Sequence, residues 1–171
     1  MAQANGILGS LVAAIQRAVP SEVESILAAE SQLATTTVPS HPAEGDPEGT
    51  TLLHWAMPGD ARELRGEHVE VARLLLKYGA NPNAVGNGPN HGRCAPLSLA
   101  AWGNHVPLID LLLEHGADPN GSSKNHTPIL TAAEHGHIAA VEALVEAGAI
   151  HTLYELVLAG LEQKVRRYLD E

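Results

Sequence analysis

Apolar residues along this chain fall at helical spacing and stop at a repeated signal. Three times, two branched apolar residues are followed by two variable residues and then Gly-Ala. The copies are Leu75-Leu76-Lys77-Tyr78-Gly79-Ala80, Leu112-Leu113-Glu114-His115-Gly116-Ala117 and Leu144-Val145-Glu146-Ala147-Gly148-Ala149. Each has a further apolar residue three positions before its pair (Ala72, Ile109 and Val141), which puts the trio on one helix face. Val71, Leu74, Leu75 and Tyr78 keep the same spacing ahead of the first copy. Glycine just past a last turn takes the left-handed conformation that ends a helix, so each copy predicts a helix C-terminus. Gly79 to Gly116 is 37 residues and Gly116 to Gly148 is 32, a period that predicts stacked supersecondary units.

A second set of signals lies about 20 residues upstream, at Ala95-Pro96-Leu97-Ser98-Leu99-Ala100-Ala101 and Thr127-Pro128-Ile129-Leu130-Thr131-Ala132-Ala133. Proline at the first helical position, after a capping threonine, starts a helix. In the first unit the same place reads Thr51-Leu52-Leu53-His54-Trp55-Ala56. Between the two helices of a unit stand Asn104-His105 and Gly136-His137, where Asn can take the turn conformation that Gly prefers.

These landmarks, in fixed order and three times over, resemble the ankyrin repeat: Thr-Pro-Leu-His-x-Ala-Ala, then Gly-His, then a Leu-Leu-x-x-Gly-Ala ending. The resemblance covers about residues 46–149. It implies an all-α fold, a solenoid of stacked antiparallel helix pairs with short projecting β-turns, and one domain over 1–171. Residues 1–30, with Leu11-Val12-Ala13-Ala14-Ile15 and then Val23, Ile26 and Leu27, read as a degenerate N-terminal capping pair. Residues 31–50, rich in Thr, Pro, Ser and Gly, read as a loop. Residues 51–149 hold the three typical repeats, and 150–171 form the C-terminal capping pair, with Lys164, Arg166 and Arg167 on its polar face.

Departures from the repeat carry the specific information. An insertion at 58–67 separates the helices of the first typical unit, and 84–90 lengthens the turn after it. After Gly148-Ala149 the projecting turn is missing, so the last pair should dock directly. These decorations cluster towards the N-terminal half and weight function there.

Composition narrows the functional classes. Hydrophobic residues make up 44% of the chain, yet there is no Phe and only two Trp and three Tyr, so the core must be aliphatic. Twenty acidic against ten basic residues give a formal charge of -10, which opposes binding to nucleic acid or to an anionic membrane. A protein partner with a basic surface would match that field. Cys94 is the one cysteine, so no internal disulfide can form and a reducing compartment is expected. Residues 1–20 lack the pattern of a signal peptide and no run reaches the ~18 apolar residues of a membrane span, so a cytoplasmic monomer is the expectation.

By the resemblance, a partner binds a concave groove made by the projecting turns and the first helix of each unit. That points to Trp102 and Gly103, to Glu134 and His135, and, from the turns, to His91, Arg93, Cys94, Lys124 and His126. Pro58 and Gly59 hold the equivalent place in the first typical unit, where the insertion disrupts the match. Trp102 has two readings: an aromatic anchor for a partner, or packing on a neighbouring loop such as 86–90. Trp55 is expected in the core. His54, His68, His105 and His137 sit where the repeat itself uses His or starts its second helix, which gives them a structural role.

His91, His126 and His135 with Cys94 and Glu134 would suit zinc only if they converged, and no CxxC, HExxH or paired ligand spacing supports a metal or another cofactor. Residues 86–92 are Gly-rich but are not a phosphate loop, and no GxSxG elbow is present. The expected function is therefore a non-catalytic protein–protein interaction module that uses the groove and the loops at 31–50, 58–67 and 84–93. The competing readings are a small-molecule or metal pocket, enzymatic in its strongest form, with the N-terminal loop as a lid, and a self-associating scaffold.

Overall fold

A computed structural model of the chain describes residues 2–38, 50–57, 64–88, 92–121, 127–150, 152–158 and 160–161. Nine α-helices are present among them: α1 (Ala2–Gln16), α2 (Pro20–Ala29), α3 (Leu52–Trp55), α4 (Gly66–Lys77), α5 (Pro96–Trp102), α6 (Val106–Glu114), α7 (Pro128–Glu134), α8 (Ile138–Glu146) and α9 (Leu153–Leu158). They stack in two rows. Odd-numbered helices contact one another in sequence, α1 on α3, α3 on α5, α5 on α7 and α7 on α9. Helices α2, α4, α6 and α8 form the second row in the same way. Each unit is thus a helix pair that shares its apolar face with the pairs on either side, the arrangement expected of an all-α solenoid.

The Gly-Ala word works through backbone hydrogen bonds. Gly79, Gly116 and Gly148 take φ of 96°, 84° and 84°, the left-handed region open to a residue without Cβ. The amides of Ala80, Ala117 and Ala149 then donate to the carbonyls of Leu75, Leu112 and Leu144, each at 2.9 Å. The glycine amides donate to Leu76, Leu113 and Val145, each at 3.0 Å. This pair of bonds is the Schellman motif, which satisfies carbonyls that a helix end leaves open. The buried pairs (Ala72 and Leu75, Ile109 and Leu112, Val141 and Leu144) are the apolar side of the same words. Between α5 and α6 the same pattern recurs with Asn104 at φ 53°, where the His105 backbone amide donates to the Ala100 carbonyl at 2.8 Å. Between α7 and α8, Gly136 takes that place at φ 68°.

Helix starts follow the local signals. The Thr127 hydroxyl accepts from the Leu130 amide at 3.3 Å, with Pro128 next in line. His68 closes the start of α4 by accepting from the Arg65 amide at 3.2 Å. The turns after the Gly-Ala words are tied to the following unit. Asn83 donates from its side-chain amide to the Gly116 carbonyl at 2.8 Å and accepts from the Asp118 amide at 2.7 Å. Asn120 accepts from the Ile150 amide at 2.7 Å, one unit further on. One asparagine thus fastens each turn to the next helix end.

Two segments differ from the loops expected of them. Within 31–50, Ser31–Thr35 is a 3-10 turn anchored by buried Ala34. Strand β1 (Thr37–Val38) pairs antiparallel with β2 (Thr50–Thr51). After Ala84 the chain forms an antiparallel hairpin of β3 (Gly86–Gly88) and β4 (Gly92–Cys94), with Gly86 opposite Cys94 and Asn87 opposite Arg93. The insertion residues 58–63 and the capping residues 162–171, with Lys164, Arg166 and Arg167, lie outside the described residues. No described helix is long and apolar enough to cross a membrane.

Candidate functional site

The junction between the second and third typical units presents an aromatic cluster. Trp102 ends α5 and His135 caps α7, so stacking the two units brings the side chains together. Half-buried Trp102 donates from its indole nitrogen to Nε2 of exposed His135 at 3.1 Å, with ring centroids 6.1 Å apart and planes at 75°. Nδ1 of His135 lies 2.9 Å from the Thr131 carbonyl, which can only accept. The proton therefore sits on Nδ1, leaving Nε2 as the acceptor Trp102 requires. His137 stacks on His135, centroids 5.8 Å apart, and its Nε2 donates to the Trp102 carbonyl at 2.9 Å. A rigid aromatic edge, held from three sides, results.

The other groove candidates divide. Glu134 and Arg93 are exposed, Glu134 beside the cluster and Arg93 on β4. Cys94 and Gly103 are buried, which changes their reading. Side chains alternate along a strand, so β4 sends Arg93 outward and Cys94 inward, where only 6% of Cys94 is exposed. Its thiol is not offered to a partner. Gly103 lies under the ring of His105: a Cβ there would come within 2.4 Å of His105 Nε2. Gly103 is thus a packing position rather than a groove surface. His91, Lys124 and His126 lie outside the described residues, as do Pro58 and Gly59. Among the described residues, no three His, Cys, Asp or Glu side chains converge to hold a metal ion.

Beneath the β3–β4 hairpin, His54 performs the structural role its position in the repeat suggests. Its Nε2 donates to the Cys94 carbonyl at 2.9 Å, and Nδ1 accepts from the Thr51 hydroxyl at 2.7 Å. The hairpin rests on this ring, since a Cβ on Gly86 would meet His54 Cε1 at 3.0 Å. His54 is fully buried, and that desolvation lowers its pKa from the ordinary 6.5, opposed by the bond to Cys94. Below the unfolded-state value the unfolded chain takes up a proton that the folded ring resists. The stability His54 contributes is therefore complete above about pH 6.5 and is lost as pH falls towards the lower folded value, at up to about 1.4 kcal/mol per pH unit. Urea unfolding of wild type and His54→Gln from about pH 7.5 to about pH 5.5 checks this, with a shallower decline expected for the variant. Parallel declines would contradict it.

The asparagine ties went unread in the sequence, although their signal is present. Asn81-Pro82-Asn83 and Asp118-Pro119-Asn120 stand 37 residues apart, in register with the Gly-Ala words. In each, the first side chain accepts from the backbone two residues on, at 2.9 Å, and so turns the second asparagine towards the next unit.

Comparison with known families agrees with the two-row stack. A family model described as "Ankyrin repeats (3 copies)" matches residues 85–154. A second, described as "Ankyrin repeat", matches residues 48–87. Together they span 48–154, well over half of the chain. A search of curated proteins found no match.

Proposed function

The chain belongs to the ankyrin-repeat family, and on that premise we propose that it is a non-catalytic binding module whose protein partner seats on the edge around Trp102, His135, Glu134 and Arg93. Ankyrin repeats are in general protein–protein interaction modules, which supplies the class. The observation that carries the location is the Trp102–His135 pair: a half-buried indole and an exposed imidazole fixed in orientation by hydrogen bonds. Aromatic side chains ordered before binding lose little entropy on complex formation, the property of an interface hot spot. Glu134, next to His135 in the chain, supplies a polar contact at the rim of this edge, and Arg93 on the β3–β4 hairpin supplies a second contact for the partner. A partner with a basic surface fits the net charge of -10.

Affinity capture from a lysate of the source cells tests the reading, comparing wild type with a Trp102→Ala, His135→Ala double variant. Wild type should retain a specific protein that the double variant loses at least about tenfold, or about 1.4 kcal/mol in binding. The double variant must show wild-type helical content for the comparison to count. Equal retention by both proteins would refute the location.

A further inference from the structure

A second surface lies in the other helix row. Helices α6 and α8 leave between them a shallow cleft of about 580 Å³, floored by partly exposed apolar side chains such as Val106, Leu113 and Ala143. Four carboxylates rim it: Asp110 and Glu114 from α6, Glu142 and Glu146 from α8. Each pair is one turn apart, about 6 Å along its helix, and the two rails are about 8–10 Å apart as neighbouring helices are. Carboxylates alone would mark a solvated face. An apolar floor between two matched acidic rails is a different object, a groove with a defined complement.

The charges are placed against local preference. Like charges at i and i+4 repel on a helix. Glu114 and Glu146 also end their helices, where the helix dipole disfavours an anion, and neither α6 nor α8 has a basic residue in its last turn. Helix α4, one unit earlier, carries Lys77 in that turn. None of the four carboxylates joins an ion pair among the described residues, whereas Arg73 and Lys77 of α4 are paired with Glu70 and Glu24. Local rules broken without an internal compensation are expected at functional or strained sites.

We infer that the α6–α8 cleft docks a basic amphipathic helix of a partner protein, with an apolar stripe on Leu113 and Ala143 and Lys or Arg at i,i+4 spacing on both flanks. Helical one-turn repeats on both rails match the i,i+4 spacing of cations on a docked helix, the helix-in-groove mode of recognition. A second copy of this chain is the weaker occupant, because its own net charge of -10 sets like charge against the acidic rails. The surface is separate from the Trp102–His135 edge, so either site can fail without the other.

The test uses a labelled helical peptide of about 18 residues, a Leu/Ala stripe flanked by Lys at i,i+4, and a scrambled peptide of the same composition. Fluorescence anisotropy should show wild type binding the patterned peptide at about 10 μM and the scramble at least about tenfold more weakly. Asp110→Asn with Glu142→Gln should cost at least about tenfold, and Trp102→Ala with His135→Ala should change nothing. Glu146→Gln should raise the Tm of the free protein by about 1–2 °C while weakening the peptide. Equal binding of the scramble, full binding by the carboxylate variants, no binding at about 1 mM, or a lowered Tm for Glu146→Gln would each overturn the inference. So would self-association of the free protein that the carboxylate variants abolish.

Discussion

Leu112→Ala is expected to lower the unfolding free energy by about 3 kcal/mol, within the 2–5 kcal/mol range of such truncations. Leu112 is fully buried in α6, and α6 packs on α4, α5 and α8, so the lost methyl groups leave a void at the centre of the stack. A domain of this kind has a total stability of about 5–15 kcal/mol, so the loss is a large share. In a solenoid the cost is not local: each unit is stable only through its neighbours, and weakening the middle one loosens both flanks. Thermal unfolding followed by circular dichroism should show a fall of about 10 °C. Half-exposed Leu113, adjacent in sequence, serves as the contrast, and Leu113→Ala should cost about 1 kcal/mol. Equal losses at the two positions would contradict the assignment of Leu112 to the shared core.

Gly103→Ala is the second large effect, expected to cost about 3 kcal/mol for a single added methyl group. The cause is steric. Gly103 has φ -81°, which any residue adopts, so backbone strain is not involved. The new Cβ would lie 2.4 Å from Nε2, 2.5 Å from Cδ2 and 2.9 Å from Cε1 of His105. His105 is 1% exposed, so its ring is enclosed and the helix turn between α5 and α6 must shift to make room. A double-mutant cycle with His105→Ala checks the mechanism: the double variant should be more stable than the sum of the single losses predicts, by at least about 1 kcal/mol. Additive losses would mean that the two residues do not meet.

Much of the scaffold could be read from residues alone, because helix ends are local events. Gly79, Gly116 and Gly148 were legible as helix stops, Thr127 as a cap and Asn104 as a left-handed turn, since each depends on its own few neighbours. The surface was harder for the same reason. Cys94 reads as a turn residue until β4 forms, and only the strand alternation turns it inward. Gly103 matches a groove position by register, but its burial depends on the His105 ring packing back over it. The indole of Trp102 finds its partner 33 residues away, across a unit boundary that periodicity locates without fixing side-chain orientation. The acidic rails of α6 and α8 entered the sequence reading only within the net charge of -10, because a cleft exists only once two units are stacked.

The stack also explains how a small acidic chain holds the shape of its surface. Asn83 and Asn120 fasten successive turns, and His137 reaches back to the Trp102 carbonyl, so adjacent units are joined by polar contacts as well as by the core. The aromatic edge therefore inherits its order from the units beneath it. The most direct test of a partner-binding role for that edge is amide hydrogen exchange on the protein with and without its captured partner. Added protection is expected over residues 93–105 and 131–137, centred on Trp102 and His135. Protection confined to α6 and α8, or none in either segment, would contradict it.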